Sequence, residues 1–400
     1  METNITNAIN LIHRGTERII SETELKSKLE SANKNQQPLV IKLGVDPTAP
    51  DIHLGHTVPF RKLKHFQDLG HDVCFLIGDF TGRIGDPSGR DITRQPLSDE
   101  EIRQNANTYL QQVGKILDTS KLRVVYNSSW LQDMNVGEFI KMAAQTTMSR
   151  LLEHNTFKQR MEHSESVRMN ELLYPFLQGF DSVALKADVE LGGSDQTFNL
   201  TFGRDLQKFY GQDPQVCITM PILTGTDGTQ KMSKSLGNYI GINEPPAIMF
   251  DKIMQMTDDN IINYYTLLTD VEMEKVQELK SRFNDNPGTR FIIEAKKNLA
   301  REIIAMYHTE YDAQTAFDSY GKINRAGLPE VSLKSSSAQT LVDWMVQSMG
   351  ISSKSEGRRL IRQGAVRING NKIQEDLPKS DLSTNDVVKL GKIKAFKITD

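Results

Sequence analysis

Cysteine is scarce in this chain. There are two among 400 residues, Cys74 and Cys217, each inside an apolar, strand-like run ("DVCFLIGD", "QVCITMPIL"). They read as buried reduced thiols rather than a disulfide, and no Cys/His spacing suggests zinc. Long apolar runs are missing too, and none approaches the ~20 residues of a membrane span. The N-terminal "METNITNAINLIHRGTERIISETELKSKLE" has no apolar block and mixes both charge signs. It is therefore expected to be neither a secretory signal nor an Arg-rich transit peptide, and the expected location is the cytoplasm. There is no Gly-x4-Gly-Lys-Ser/Thr phosphate loop, no internal repeat and no low-complexity tract. A strong net charge is lacking as well, with 48 Lys/Arg against 51 Asp/Glu, a net of −3.

That near-neutrality conceals an asymmetry. Residues 341–400 carry 11 Lys/Arg against 7 Asp/Glu, a net of +4, which leaves 37 against 44, a net of −7, for the rest. A basic tail on an acidic body points to an anionic partner at one end, or to chance scatter. The composition, 38% hydrophobic and 25% charged, is ordinary for a globular protein, and the length favours two or three domains.

From residue 38 to about 225, short apolar runs alternate with amphipathic ones. Strands are expected at "PLVIKLGV", "DVCFLIGDFTG", "KLRVVYN", "DVELGG" and "QVCITMPIL". Among the helices between them, one starts at a Ser98/Glu101 capping box. The alternation predicts an α/β fold with a mainly parallel sheet covered on both faces, and such sheets bind ligands at the carboxyl ends of their strands. A helical segment follows from "PPAIMFDKIMQM" to "AQTAFDSYGK", broken at "NDNPGT", and "INRAGLPEVSLKSSSAQT" reads as a linker. The remainder predicts two short helices and then strands turning at "NGNK".

The stretch "DPTAPDIHLGH", Asp46 to His56, lies where the first strand hands over to a helix. Pro47 and Pro50 stiffen the turn, and Asp51 is expected to cap the helix. His53 and His56, three apart, then share one face of its first turn. They suit a metal, an incidental solvated turn, or a phosphate held at the helix N-terminus, with Gly55 letting a flat ligand approach the backbone. The metal reading lacks a third ligand nearby. Far downstream, "GTQKMSKSLGN" sets Lys231, Lys234 and Ser235 on a loop flanked by Gly225, Gly228 and Gly237. By itself such a loop is usually a solvated turn.

The pair "HLGH" and "KMSKS" on an alternating α/β chain resembles the two signature motifs of the class I aminoacyl-tRNA synthetases. The resemblance implies a Rossmann-like doubly wound catalytic domain over residues 1–245, a helical tRNA-side domain over 246–325, a linker over 326–340 and a small α+β RNA-binding domain over 341–400. It implies that His53 and His56 stabilise the transition state at the α-phosphate of ATP. Lys231 and Lys234 would grip the leaving pyrophosphate, where negative charge develops.

"NELLYPFLQGFDSVAL" puts Tyr174, Gln178 and Asp181 on one helix face, and "LGGSDQTFNL" puts Asp195 and Gln196 at a strand end. With "GDFTGRIGDPSGR", these resemble the tyrosyl branch of the family. The implied roles are Asp181 for the tyrosine phenol, Tyr174, Gln178 and Asp86 for its ammonium, and Gln196 near its carboxylate. Asp195 would hold the adenylate ribose, with Asp46, Thr48, Gly55 and Ser235 around ATP and Arg90 and Arg94 over the phosphates. Two departures stand out. Lys42 occupies a position where many bacterial relatives carry a tyrosine that also contacts the phenol, and "TFNLT" replaces a segment that commonly holds a tryptophan and a glycine.

The tail "SKSEGRRLIRQGAVRINGNKI" resembles an RNA-binding module first known from ribosomal protein S-four. That implies Ser353, Arg358, Arg359, Arg362, Arg367 and Asn369 facing phosphates, or a basic surface on a small structural domain. The whole implies tyrosine, ATP with Mg2+, and tRNA(Tyr) as ligands, with no structural metal. It also implies a homodimer formed through the insertion after "PSGR" and the helix near "FIKMAAQTTMSRLLEHN". The rival readings are a tryptophanyl relative, a small-molecule adenylyltransferase and a non-catalytic RNA-binding protein.

Overall fold

The apolar runs form the strands they predict. In the computed structural model, which describes residues 5–47, 50–88, 98–285, 288–320, 330–334, 337–369, 371–391 and 394–399, the first unit spans Met1–Gln314. It is built on β1 (Arg18–Ile20), β2 (Val40–Val45), β3 (Asp72–Ile77), β4 (Leu122–Tyr126), β5 (Val189–Gly193) and β6 (Val216–Met220). The sheet order is β1-β6-β5-β2-β3-β4. All neighbours are parallel except the edge pair β1–β6, which is antiparallel. The strand reading missed β1 because "RII" is too short to show a period.

The central strands β3, β5 and β6 are buried along most of their length and β2 along its middle, as expected of a sheet with helices on both faces. The helix Leu54–Asp68 follows β2, and the helix Met169–Leu185 precedes β5. The latter packs on the helix Thr197–Phe209 through two glycines. A Cβ on Gly179 would lie 3.2 Å from the Gly203 Cα, and one on Gly203 would lie 3.5 Å from the Gly179 Cα. This approach seats residues 178–182 against the sheet. Phe157, Leu172, Phe176, Phe202 and Leu206 close a local core beside it.

The predicted capping box is present, with Ser98 and Glu101 satisfying each other's backbone N–H groups at the start of the helix Asp99–Val113. The helical segment forms helices Pro246–Gln255, Ile261–Leu268, Met273–Asn284 and Thr289–Tyr307 within this same unit.

The second unit, Thr315–Asp400, holds β7 (Glu330–Ser332), β8 (Val366–Ile368), β9 (Asn371–Lys372), β10 (Val387–Leu390) and β11 (Lys394–Thr399), in the order β7-β11-β10-β8-β9. Part of the stretch read as linker is thus a strand. β7 pairs in parallel with β11, and Val331 packs on the core around Trp344. As expected at "NGNK", β8 and β9 pair antiparallel, Ile368 opposite Asn371, with Asn369 in the left-handed region at φ 47°. The helix Lys354–Arg362 starts at Ser353, whose hydroxyl accepts from the Glu356 N–H.

Candidate active site

A cleft of about 470 Å³ opens at the carboxyl ends of β2, β3 and β5. Gly78, just after β3, allows it to form. A Cβ there would lie 1.9 Å from Asp46 Oδ1 and 2.3 Å from Thr81 Oγ. In its place, the Thr81 hydroxyl donates to Asp46 Oδ1 at 2.8 Å and the Tyr174 hydroxyl donates to Asp46 Oδ2 at 2.9 Å. Burial pushes Asp46 up to about 7, against the pull of the Thr81 hydroxyl, with nearby Asp86 pushing the same way.

The two histidines of the opening motif build the start of the helix Leu54–Asp68. His53, rather than Asp51, is its N-cap. The Gly55 N–H donates to His53 Nδ1 at 3.2 Å, and the His53 N–H donates to His56 Nδ1 at 3.3 Å. Each Nδ1 therefore accepts, which places the ring proton on Nε2 in both. The rings stack with centroids 3.8 Å apart. Burial holds both below the usual histidine range, His53 at about 2 with help from His56, and His56 at about 4 with help from Lys234 and Lys231. Two neutral imidazoles, each with an Nε2–H donor, thus sit at a helix N-terminus, and His56 lines the cleft. Glycine at position 55 also leaves room for the ring, since a Cβ there would sit 3.0 Å from the His53 imidazole.

Asp51 has a different task. It takes the Lys234 ammonium at 2.7 Å, tying the second motif to the first. Lys231 lines the cleft, and Thr224 bridges it across the loop. The Ser235 hydroxyl pairs with that of Ser233 at 2.8 Å. Neither Lys234 nor Ser235 lines the cleft.

At the cleft floor lies Asp181, fully buried. Trp130 Nε1 donates to its Oδ1 at 2.8 Å and Asn127 Nδ2 donates to its Oδ2 at 3.2 Å. Burial pushes Asp181 up to about 7, opposed first by Lys42 and then by those two donors. The carboxylate is held at one orientation and keeps lone pairs for a further donor.

The remaining residues of the pocket converge. Gln196 Nε2 donates to Asp86 Oδ2 at 2.5 Å, and the Ser88 N–H donates to Asp86 Oδ1 at 2.8 Å. Gln178 and Asp195 line the same cleft, and burial raises Asp195, with Asp86 adding and Lys231 opposing.

Residues 34–323 match the family model "tRNA synthetases class I (W and Y)", and residues 322–388 match the tyrosine–tRNA ligase C-terminal domain model. The chain is 49% identical to a tyrosine–tRNA ligase of Geobacter metallireducens over 92% of both chains. It is 46% identical to that of Geobacter sulfurreducens over 99% of both. The chain belongs to the tyrosine–tRNA ligases. The fold agrees. A tyrosyl-tRNA synthetase from Archaeoglobus fulgidus, solved with L-tyrosine, superposes with a TM-score of 0.63 at 23% identity, covering 78% of this chain and 100% of that one.

Within this ligase, Asp46, His56, Asp86, Tyr174, Gln178, Asp181, Asp195, Gln196 and Lys231 share one cleft. Thr48, Arg90 and Arg94 lie outside the described residues. Sequence reasoning missed Asn127, Trp130 and Thr81. Asn127 directly follows β4, so the rule that such sheets bind at strand carboxyl ends pointed to it. Trp130, one of two tryptophans, carried only its rarity as a signal.

In the second unit Arg358, Arg359, Arg362 and Arg367 are exposed. Ser353 is a helix cap, and Asn369 holds the β8–β9 hairpin to β10, its Oδ1 accepting from the Val387 N–H at 3.0 Å. Both are exposed as well as built into the fold.

Proposed function

We propose the following division of labour for tyrosine activation and transfer. Tyrosine lies with its phenol donating to Asp181 and its ammonium among Tyr174, Gln178 and Asp86, beside Gln196. Its carboxylate attacks the α-phosphorus of ATP, forming tyrosyl-adenylate as pyrophosphate departs. The Nε2–H groups of His53 and His56 stabilise the charge gathering on the α-phosphate, and Lys231 and Lys234 hold the pyrophosphate. Asp195 orients the ribose, with Asp46 beneath the nucleotide. A hydroxyl of the terminal adenosine of tRNA(Tyr) then takes the tyrosyl group, and AMP leaves. Magnesium would arrive on the ATP phosphates. Asp46 and Asp86 are already engaged by Thr81, Tyr174, Ser88 and Gln196, so the nucleotide supplies its main ligands.

One observation carries this reading most directly. The reciprocal His53/His56 cap lies in the unit where Lys231 and a doubly hydrogen-bonded, buried Asp181 line one cleft. Phenylalanine would leave Asp181 short of a donor, a penalty of about 1–3 kcal/mol or more. Selection of tyrosine without editing is a known example of this effect.

The proposed domains are a catalytic region 1–245, a tRNA-side helical region from 246, and an RNA-binding region that includes β7 at Glu330–Ser332, with the linker ahead of that strand, and whose Arg358, Arg359 and Arg362 form a cationic helix face. The proposed assembly is a homodimer. Its support is the exposed apolar set Val136, Ile140, Met148, Met161 and Met169 on and beside the helices of residues 136–162. A reducing, cytoplasmic setting suits Cys74 and Cys217, which are buried and free. The test is exchange of labelled pyrophosphate into ATP with each of the twenty amino acids. Exchange with tyrosine alone is expected. Exchange driven by another amino acid would overturn the role given to Asp181.

A further inference from the structure

The cleft floor holds a buried cation that the chemistry above does not use. Lys42 and Glu190 are register partners on β2 and β5, and their side chains meet at 2.9 Å with 0% and 1% exposure. Lys42 Nζ also donates to the Gln178 carbonyl at 2.9 Å and to Ser182 Oγ at 2.8 Å. An ammonium has three donors, so none remains for a ligand. Lys42 cannot replace a phenol contact. Instead it holds the turn that carries Gln178 and Asp181. Glu190 completes the network by accepting from Gln178 Nε2 at 3.3 Å, Ser182 Oγ at 3.0 Å and Gln215 Nε2.

We infer that Lys42 is a positioning and charge-setting residue for tyrosine selection. It pins residues 178–182 to the sheet and brings a positive charge to the floor of the cleft where Asp181 receives the phenol. The groups acting around Asp181 make the charge necessary. Glu190 from β5 opposes ionisation of Asp181, and Asp46 after β2 couples to it. The Tyr174 hydroxyl and the Cys74 thiol of β3 are held neutral, raised by burial. Trp130 and Asn127 orient the carboxylate but bring no charge. An ionised acceptor also makes the stronger hydrogen bond.

This inference rests on Asp181 receiving the phenol. It is tested by measuring the tyrosine KM in pyrophosphate exchange from about pH 6 to 9 for the wild type, Lys42→Met and Glu190→Gln. In the wild type, KM should rise on the acid side. Lys42→Met should move that rise to higher pH, raising KM at neutral pH about tenfold per pH unit moved, with kcat nearly unchanged and KM recovering in alkali. Glu190→Gln should move it to lower pH. Opposite displacements are not what a purely structural role would give. Equal, pH-independent increases in both variants, or no displacement in either, would overturn the inference. If Lys42→Met does not fold, the direction in Glu190→Gln decides alone: downward supports the inference, and anything else overturns it. A wild-type KM with no acid-side rise, or an unchanged KM in Asp181→Asn, would instead overturn the assignment of the phenol to Asp181.

Discussion

At the residue scale, the site is governed by which groups are charged. Asp181 lies at about 7, whereas His53 and His56 lie at about 2 and 4. An acid-side loss of tyrosine activation near neutrality therefore belongs to the carboxyls, not the imidazoles. We expect His56→Gln to lower the rate of adenylate formation by about a hundredfold, in the range of lost preorganised donors, while keeping the same acid limb in its pH–rate profile. Asp181→Ala should abolish tyrosine-dependent exchange. The stability consequences have opposite signs. Asp181 and Asp46, raised in the folded state, favour folding below their unfolded values, and that contribution fades as pH rises towards 7. The histidines, lowered in the folded state, contribute nothing against folding above about 6.5 and destabilise as pH falls below it. Thermal melts of Asp181→Asn should accordingly lose less stability between about pH 5 and 7.5 than the wild type, an interval in which the unfolded carboxyl, with an ordinary value of 3.8, is already ionised while the folded one gives up its proton near 7.

At the element scale, one glycine pair sets the position of the helix Met169–Leu185. Gly179→Ala would bring a methyl 2.8 Å from Leu206 Cδ1 and 3.2 Å from the Gly203 Cα, forcing the helix Met169–Leu185 outward. The expected cost is about 1–3 kcal/mol in stability, together with a raised tyrosine KM, since Gln178 and Asp181 flank the contact. Denaturant unfolding and exchange kinetics on the same preparation would check both. Much of this scale was legible. Five strands, the Ser98 cap and the break at "NDNPGT" follow from period and punctuation. The errors have local causes. Asp51 has the usual chemistry of a cap, yet an ion pair with Lys234 claimed it, and an imidazole took the cap position. β7 hid in a serine-rich stretch because its pairing partner, β11, lies some sixty residues on. Lys42 was visible as an anomaly but not as a partner of Glu190, because a cross-strand pair between β2 and β5 leaves no trace in either segment alone.

At the scale of the whole molecule, the two units carry charge of opposite sign, and the basic one presents Arg358, Arg359 and Arg362 on a single helix. Removal of residues 330–400, which takes β7 along with its partner β11, should spare pyrophosphate exchange. It should weaken tRNA charging, measured as KM for tRNA, and reduce the salt dependence of that KM. Unchanged charging would remove the second unit from RNA binding.

The cap formed by His53 and His56 also determines what different selections would preserve. Asparagine at either position offers an acceptor for the backbone N–H and can begin the helix as well as imidazole does. Only imidazole satisfies the backbone with one nitrogen while offering a proton from the other side of the same ring. A library screened for folded, tyrosine-binding protein would let these two positions drift. One screened for turnover would recover histidine at both. The two screens together would separate what the chain needs to stand from what it needs to work.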